Sequence, residues 1–258
     1  MMIDADHLIA TTFVRHVERH EELASTNDHA MRQATRLAPG TLILARRQTA
    51  GRGRGSNRWW SSDGALTFSL LIDPADWNLP TPRWPEISVT VGTAIATTLR
   101  TITPDADVRL KWPNDVYLSG RKVSGILVEV ASTSPGRLVV GIGLNVNNSF
   151  ADAPEDVRAR AISLADHREQ PVDAGDVLVS LIGQLDRDLT ALSEDPTELR
   201  SRWRNLCLLS GRFVTINDGS RRIEGTCLGI DDDAALVVQT ALGPQRLYGG
   251  VVEAFDRD

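Results

Sequence analysis

The chain has 258 residues, of which 41% are hydrophobic and 24% charged, a globular composition that excludes wholesale disorder. Its 34 acidic against 28 basic residues give a formal net charge of −6, which argues against general nucleic-acid binding while leaving room for a local basic loop. No apolar run approaches the ~20 residues of a membrane span, no secretion signal opens the chain, and Cys207 and Cys227 are too few for a disulfide framework, so a reduced, cytoplasmic setting without a membrane partner is expected.

Residues 5–12 read as a short helix and 13–23 as a segment holding a strand. Ser25, Thr26 and Asn27 form a polar cap before Ala30, Met31, Ala34 and Leu37, which are spaced for one helical face; Pro39-Gly40 stops that helix. Residues 41–45 read as a buried strand, and 48–58, with three Gly and three Arg and no apolar period, as a loop. A strand over 65–72 precedes a long connection marked by Pro74, Pro80, Pro82 and Pro85. Glu86 to Ile102 is a predicted helix that buries Ile87, Val91, Ala94, Ile95, Thr98, Leu99 and Ile102. A strand over 108–112 must end at Pro113, and residues 115–130 read as a β-hairpin turning at Ser119-Gly120. Residues 137–147 are an apolar strand, rich in Gly where something approaches the backbone. Residues 149–170 are polar and read as irregular; Asp173 then opens an amphipathic helix carrying Val177, Leu178, Leu181, Ile182, Leu185, Leu189 and Leu192, and a short helix follows Pro196.

From Gly211 the pattern changes to short strands with tight turns, a small β-barrel of SH3 type. The expected architecture is therefore α+β: a mixed sheet with helices over residues 1–210, then a small β domain over 211–258.

Four stretches concentrate chemistry. The first is Gly51-Arg52-Gly53-Arg54-Gly55, where glycines free the backbone to wrap an anion and arginines neutralise it. Taken alone it suits a surface loop or a nucleic-acid contact equally, and Trp59-Trp60 behind it suit core packing or an aromatic platform. It is neither a Walker A loop nor a Rossmann turn. The second is Lys111-Trp112-Pro113-Asn114-Asp115, a turn that brings Lys111, Asn114 and Asp115 together, as a plain surface turn also would. The third is the strand from Arg121 to Glu129, where alternation predicts Lys122, Ser124, Ile126 and Val128 on one face. The fourth is Gly141 to Asn147, whose glycines leave room for a flat ligand. Only Lys111 and Lys122 among the 28 basic residues are lysine, either by codon bias or because a compact ammonium is needed there.

Taken in order, Ser25-Thr26-Asn27, the run from Gln48 to Arg54, Trp59, the pentapeptide 111–115, the strand 121–129 and the run 141–147 resemble the biotin–protein ligases (biotin–[acetyl-CoA-carboxylase] ligases). The resemblance covers residues 13–150 strongly and the C-terminal β domain weakly. It implies a class II synthetase-like, biotin–lipoate ligase catalytic fold. It implies an enzyme that couples biotin to ATP, with Mg²⁺ on the phosphates, to give biotinyl-5′-adenylate, then passes the biotinyl group to one lysine of the biotin carboxyl carrier domain of a biotin-dependent carboxylase. By the same resemblance Ser25, Thr26, Gln48, Gly51 and Arg52 would hold biotin, with Gly125, Leu127 and Gly141 as walls and Lys122 at the carboxylate. Arg52, Arg54, Trp59 and Asn145 would hold the adenylate, and Lys122, Arg54, Asp115 and Lys111 would act in catalysis. No protein ligand for a metal is assigned.

The chemistry suits these residue types. Joining two anions requires cations to screen their repulsion, and the acceptor amine needs a base, for which Asp115 is the candidate. Without an anion, Arg52, Arg54 and Arg58 are expected to repel one another. The C-terminal β domain lacks an arginine that some members turn toward the nucleotide, which leaves its nucleotide role open. The 24 residues before Ser25 are too few for the DNA-binding domain of repressor-type members, so a short form is expected, as monomer or homodimer. The competing readings are a lipoate–protein ligase and, further off, a nucleic-acid-binding module using the Gly-Arg loop.

Overall fold

The computed structural model describes residues 3–256. Helix α1 (Ala5–Thr11) leads to strand β1 (His16–Leu23), helix α2 (Thr26–Gln33) and strands β2 (Thr41–Gln48) and β3 (Leu66–Ile72). Helix α3 (Pro85–Ile102) follows two short 3₁₀ turns in the proline-rich connection. Strands β4 (Val108–Lys111), β5 (Asp115–Leu118), β6 (Arg121–Val130) and β7 (Leu138–Leu144) complete one sheet, and four helices follow: α4 (Glu155–Arg160), α5 (Leu164–Arg168), α6 (Ala174–Glu194) and α7 (Thr197–Leu206). The last five strands are β8 (Phe213–Asn217), β9 (Arg222–Ile230), β10 (Leu236–Thr240), β11 (Gly243–Leu247) and β12 (Val251–Phe255).

The first sheet has seven strands in the order β1-β2-β3-β7-β6-β5-β4, with β1 and β2 parallel and every other pair antiparallel. The second is a five-stranded, antiparallel, SH3-like sheet in the order β11-β10-β9-β8-β12. No helix among the described residues is long and apolar enough to cross a membrane.

Strand alternation divides the large sheet into two unlike faces. Leu66, Phe68, Leu70 and Ile72 on β3, with Leu138, Val140, Ile142 and Leu144 on β7, join α3, α6 and α7 in the main core. The opposite face carries Ile43, Leu71 and Val139 under Ala30 and Ala34 of α2, a second, smaller apolar cluster. Beyond that cluster the same face turns to Thr67 and Ser69 on β3 and Gly141 and Gly143 on β7. Here α2 reaches the sheet only through its first residues, Thr26 and Asn27, which meet Ser69 and Gly141, and the row of Thr67 and Gly143 beyond them forms a floor.

The main core does not stop at the second sheet: it includes Val214, Ile216 and Leu236 beside Trp203 and Cys207. The Trp112 indole donates to the Ala234 carbonyl at 3.1 Å, and the Leu208 amide to Leu110 at 2.7 Å, so the turn after β4 is held by both sheets.

Two sequence expectations change. Residues 149–170 are not irregular: they contain α4 and α5, the latter opened by a capping box in which Ser163 and Asp166 satisfy each other's backbone amides. These helices are too short to show an apolar period, although the Ser163/Asp166 spacing was a readable cap. Lys122 does not share a face with Ser124 and Ile126. Tyr117 pairs with Lys122 while its neighbour Val116 pairs with Ser124, so a β-bulge at Val123 turns Lys122 to the side of Gly125 and Leu127.

Helices α3, α6 and α7 meet at a buried ion pair. Arg202 donates to Asp188 at 2.5 Å and to Thr97 Oγ1 at 3.1 Å, and Gln184 donates to Asp188 at 2.9 Å. Asp188 is 1% exposed, and burial pushes its carboxyl above the usual range even though Arg202 opposes the shift. Arg202→Met should therefore destabilise the chain by about 3–5 kcal/mol in chemical denaturation, by stranding a buried carboxylate. Because the folded-state pKa is the raised one, the variant should regain stability as pH falls through it. The double variant Arg202→Met/Asp188→Leu should recover most of the loss; a double variant as unstable as the single one would contradict the account.

Candidate active site

The floor of the site is a lattice of small residues set by strand pairing. Thr67 stands opposite Gly143, Gly143 opposite Gly125, and Gly125 opposite Asp115; one row along, Ser69 stands opposite Gly141 and Gly141 opposite Leu127. Above it opens a cleft of about 1070 Å³, room for a ligand of nucleotide size with a second small molecule. Every residue to which the family resemblance gave a role lines this cleft: Ser25, Thr26, Gln48, Gly51, Arg52, Arg54, Trp59, Lys111, Asp115, Lys122, Gly125, Leu127, Gly141 and Asn145.

One end is a polar corner at the N-terminus of α2. Ser25 caps that helix, its hydroxyl accepting from the Asp28 amide at 3.3 Å. Gln48, at the end of β2, accepts from the Thr26 amide at 2.7 Å and from the Thr26 hydroxyl at 3.1 Å. The Ser69 hydroxyl lies 2.8 Å from Thr26 Oγ1 and 2.6 Å from Asn27 Oδ1, and the Asn27 amide donates to the Leu127 carbonyl at 3.2 Å and to Glu129 at 3.0 Å. A methyl group at position 141 would stand 2.0 Å from Asn27 Oδ1, so glycine there is a condition of this network.

The loop 48–58 folds as a tight turn, with Gly53 and Asn57 joined by a 2.8 Å backbone bond and Trp59 donating to the Gly51 carbonyl at 2.9 Å. Its arginines do not simply repel. Arg52 pairs with Asp28 at 3.0 Å and with Glu129, whose hydrogen bond contributes most to raising the guanidinium pKa. Arg54 reaches the second sheet, donating to the Gly250 carbonyl at 3.2 Å, and burial pushes its pKa down with no carboxylate to offset it. Residues Asn217 to Gly219 and Gly250 to Val252 complete that wall, so the second sheet borders the cleft without contributing an arginine.

Trp59 occupies the slot over the glycines, where the sequence suggested open space for a flat ligand. A methyl at position 143 would lie 2.3 Å from its ring, and its indole nitrogen is buried without a partner. Trp60 instead packs on Phe150, with ring centroids 5.6 Å apart. Asp115 and Lys122 form an ion pair at 2.5 Å beside Gly125, with the ammonium 5.9 Å from the Trp59 ring centre. Lys111 points elsewhere, 5.4 Å over the Phe255 ring of β12. Asn145 is buried at the cleft edge, its backbone bonded to Val123 and Leu164 and its side chain accepting from Asn148 at 3.2 Å.

Sequence reasoning did not give Asn27, Ser69, Asp28 and Glu129 their places in the site. Only Asn27, beside Ser25-Thr26, carried a local signal; the partners of Arg52 come from distant parts of the chain.

The site thus sets a lysine–aspartate pair and a desolvated arginine beside a polar corner over a glycine floor, an arrangement with cations placed to receive anionic groups. The chain matches the family model described as the Biotin/lipoate A/B protein ligase family over residues 21–147 and the biotin protein ligase C-terminal domain over residues 209–253. It is 30% identical to the biotin–[acetyl-CoA-carboxylase] ligase of Paracoccus denitrificans over 228 residues, 86% of this chain and 93% of that one. It is 29% identical to the bifunctional ligase/repressor of Bacillus subtilis over 246 residues, 93% of this chain and 74% of that protein. The solved biotin protein ligase of Aquifex aeolicus in complex with biotin and ATP superposes with a TM-score of 0.81 at 28% identity, covering 95% of this chain and all of the other. The chain belongs to the biotin protein ligase family.

Close approach of Trp59 to position 143 gives a direct test. Gly143→Ala should cost about 1–3 kcal/mol of stability through overpacking. In a Trp59→Ala background most of that cost should vanish, because the collision is gone. Additive effects in the denaturation cycle would show that Trp59 does not lie on Gly143.

Proposed function

We propose that this chain joins biotin to ATP as biotinyl-5′-adenylate, releasing pyrophosphate, and then transfers the biotinyl group to a lysine of a biotin carboxyl carrier domain, releasing AMP. The observation that carries this reading is the Lys122–Asp115 pair at 2.5 Å, set at the edge of a glycine floor and facing a cleft that Arg54 also lines. Its family membership supports biotin over lipoate, and the inward turn of Arg52 and Arg54 leaves the Gly-Arg loop poorly suited to nucleic acid.

In the first step a carboxylate oxygen of biotin attacks the α-phosphorus of ATP. Two anions must approach, and charge builds on the phosphoryl oxygens. Lys122 supplies a compact cation at the carboxylate, and Arg54, desolvated and bound only to a carbonyl in the contacts described, supplies a second at the phosphate. Arg52, already engaged by Asp28 and Glu129, acts as the tether that holds the loop over the floor. Ser25, Thr26 and Gln48 offer the polar corner to the ureido ring, with Gly51, Gly125, Leu127 and Gly141 as walls. Trp59 and Asn145 border the adenine side, and Lys111 lies toward the acceptor entrance. Mg²⁺ would enter on the triphosphate and neutralise it.

In the second step the acceptor lysine arrives as an ammonium. Asp115 takes its proton, the amine attacks the acyl carbon, and AMP leaves. Residues 1–210 are read as the catalytic domain and 211–258 as a C-terminal domain that closes its phosphate wall. The chain is read as cytoplasmic, as a monomer or homodimer.

The experiment is transfer of labelled biotin to a purified carrier domain, with and without ATP, against lipoate as competitor. ATP-dependent labelling of one carrier lysine is expected; labelling with lipoate alone would replace this reading with the lipoate one. Lys122→Arg keeps the charge but spreads it over a flat fork. It should slow pyrophosphate release by about 30- to 1000-fold, on the order of 2–4 kcal/mol of transition-state stabilisation. Asp115→Asn should slow carrier transfer more than adenylate formation; equal slowing in single-turnover assays would make Asp115 structural.

A further inference from the structure

Outside the cleft, β1 and α2 bring together Glu18, His20 and His29. Glu18 and His20 are two residues apart on β1 and so share a face, and His29 of α2 reaches both of them. Two of the chain's five histidines thus meet one carboxylate. Both imidazoles aim the same nitrogen at the same oxygen: His29 Nε2 lies 3.1 Å and His20 Nε2 3.5 Å from Glu18 Oε2. All three atoms lie within 4.8 Å of one another. His20 Nε2 is buried and makes no hydrogen bond, so its lone pair or proton has no full partner among the protein groups. The two rings are tilted by 58° with centroids 4.8 Å apart, a geometry in which they converge on the carboxylate rather than stack.

We propose that Glu18, His20 and His29 form a binding site for a divalent transition-metal ion of the zinc class, separate from the ligase cleft. Zinc bonded at about 2.0–2.2 Å to nitrogen and oxygen in a tetrahedron places its ligands roughly 3.3–3.6 Å apart; the two distances to Glu18 Oε2 are close to that, and the three atoms, within 4.8 Å of one another, would draw in around the ion. Two imidazoles select Zn²⁺ or its neighbours over Mg²⁺ or Ca²⁺, which prefer all-oxygen shells. The side chains are between a fifth and a third exposed, which leaves the fourth position to water. None of the three residues lines the cleft. The ion would fasten α2 to β1, and α2 begins with the residues that form the polar corner.

The test uses the full chain, stripped with a chelator and titrated with Zn²⁺ against a chromophoric competitor. One Zn²⁺ per chain is expected, with no displacement by millimolar Mg²⁺. His20→Gln and His29→Gln should each weaken binding by at least about 10- to 100-fold. His167→Gln, on α5, should leave it unchanged. Circular dichroism verifies that the variants are folded. Should either fail to fold, Co²⁺ added to the unaltered chain gives the answer: intense visible bands of a four- or five-coordinate ion support the site. The weak spectrum of an octahedral aqua ion overturns it, as does equal Zn²⁺ affinity in the wild type and His29→Gln, or equal weakening by His167→Gln.

Discussion

The absence of side chains at three strand positions governs the rest of this structure. Gly125, Gly141 and Gly143 lie in neighbouring rows of the sheet, and each has a side chain from another element seated where a Cβ would project. Asn27 fills the space at Gly141, Trp59 that at Gly143, and Trp59 with Lys122 that at Gly125. The other face of the same strands is apolar apart from Ser124, which donates to the Gly143 carbonyl, and is locked into the main core, so the floor is rigid.

Charge placement follows from this floor. The bulge at Val123 brings Lys122 to the glycine side, and the pairing of Asp115 with Gly125 brings its carboxylate there too. The two groups neutralise each other until an anionic ligand competes for the ammonium. Arg54 is poised differently, half desolvated against the second sheet with a carbonyl as its partner, so an incoming phosphate strengthens rather than breaks its environment. Arg52 has found two carboxylates within the chain, Asp28 of α2 and Glu129 of β6, and these pairs tie the loop to both elements. Charge alone did not distinguish these three arginine and lysine roles; their neighbours did.

Much of the fold was legible because local signals agreed with packing. Ser25 caps α2, Asp173 caps α6, and the alternation in β3 and β7 separates core from floor. The order of motifs was enough to resemble the right family. What was not legible had specific causes. The bulge in β6 depends on pairing with β5, and strict alternation along one strand cannot reveal it. The helices α4 and α5 are one to two turns long and carry no apolar period. The ion pair of Arg52 with Glu129 spans 77 residues of sequence, and the contact of Arg54 with Gly250 spans 196, so both exist only once the sheets are assembled. The expectation of mutually repelling loop arginines left these partners out for that reason.

The central claim is that Lys122 exchanges one anion for another, leaving Asp115 for the reacting groups. A structure of the chain bound to a non-hydrolysable biotinyl-adenylate analogue tests it most directly. The account predicts the Lys122 ammonium within hydrogen-bond distance of the acyl or phosphoryl oxygens, Arg54 on the phosphate, and the Asp115 carboxylate open toward the acceptor entrance. An analogue seated in the cleft with Lys122 still paired only to Asp115 and Arg54 still on the Gly250 carbonyl would contradict it.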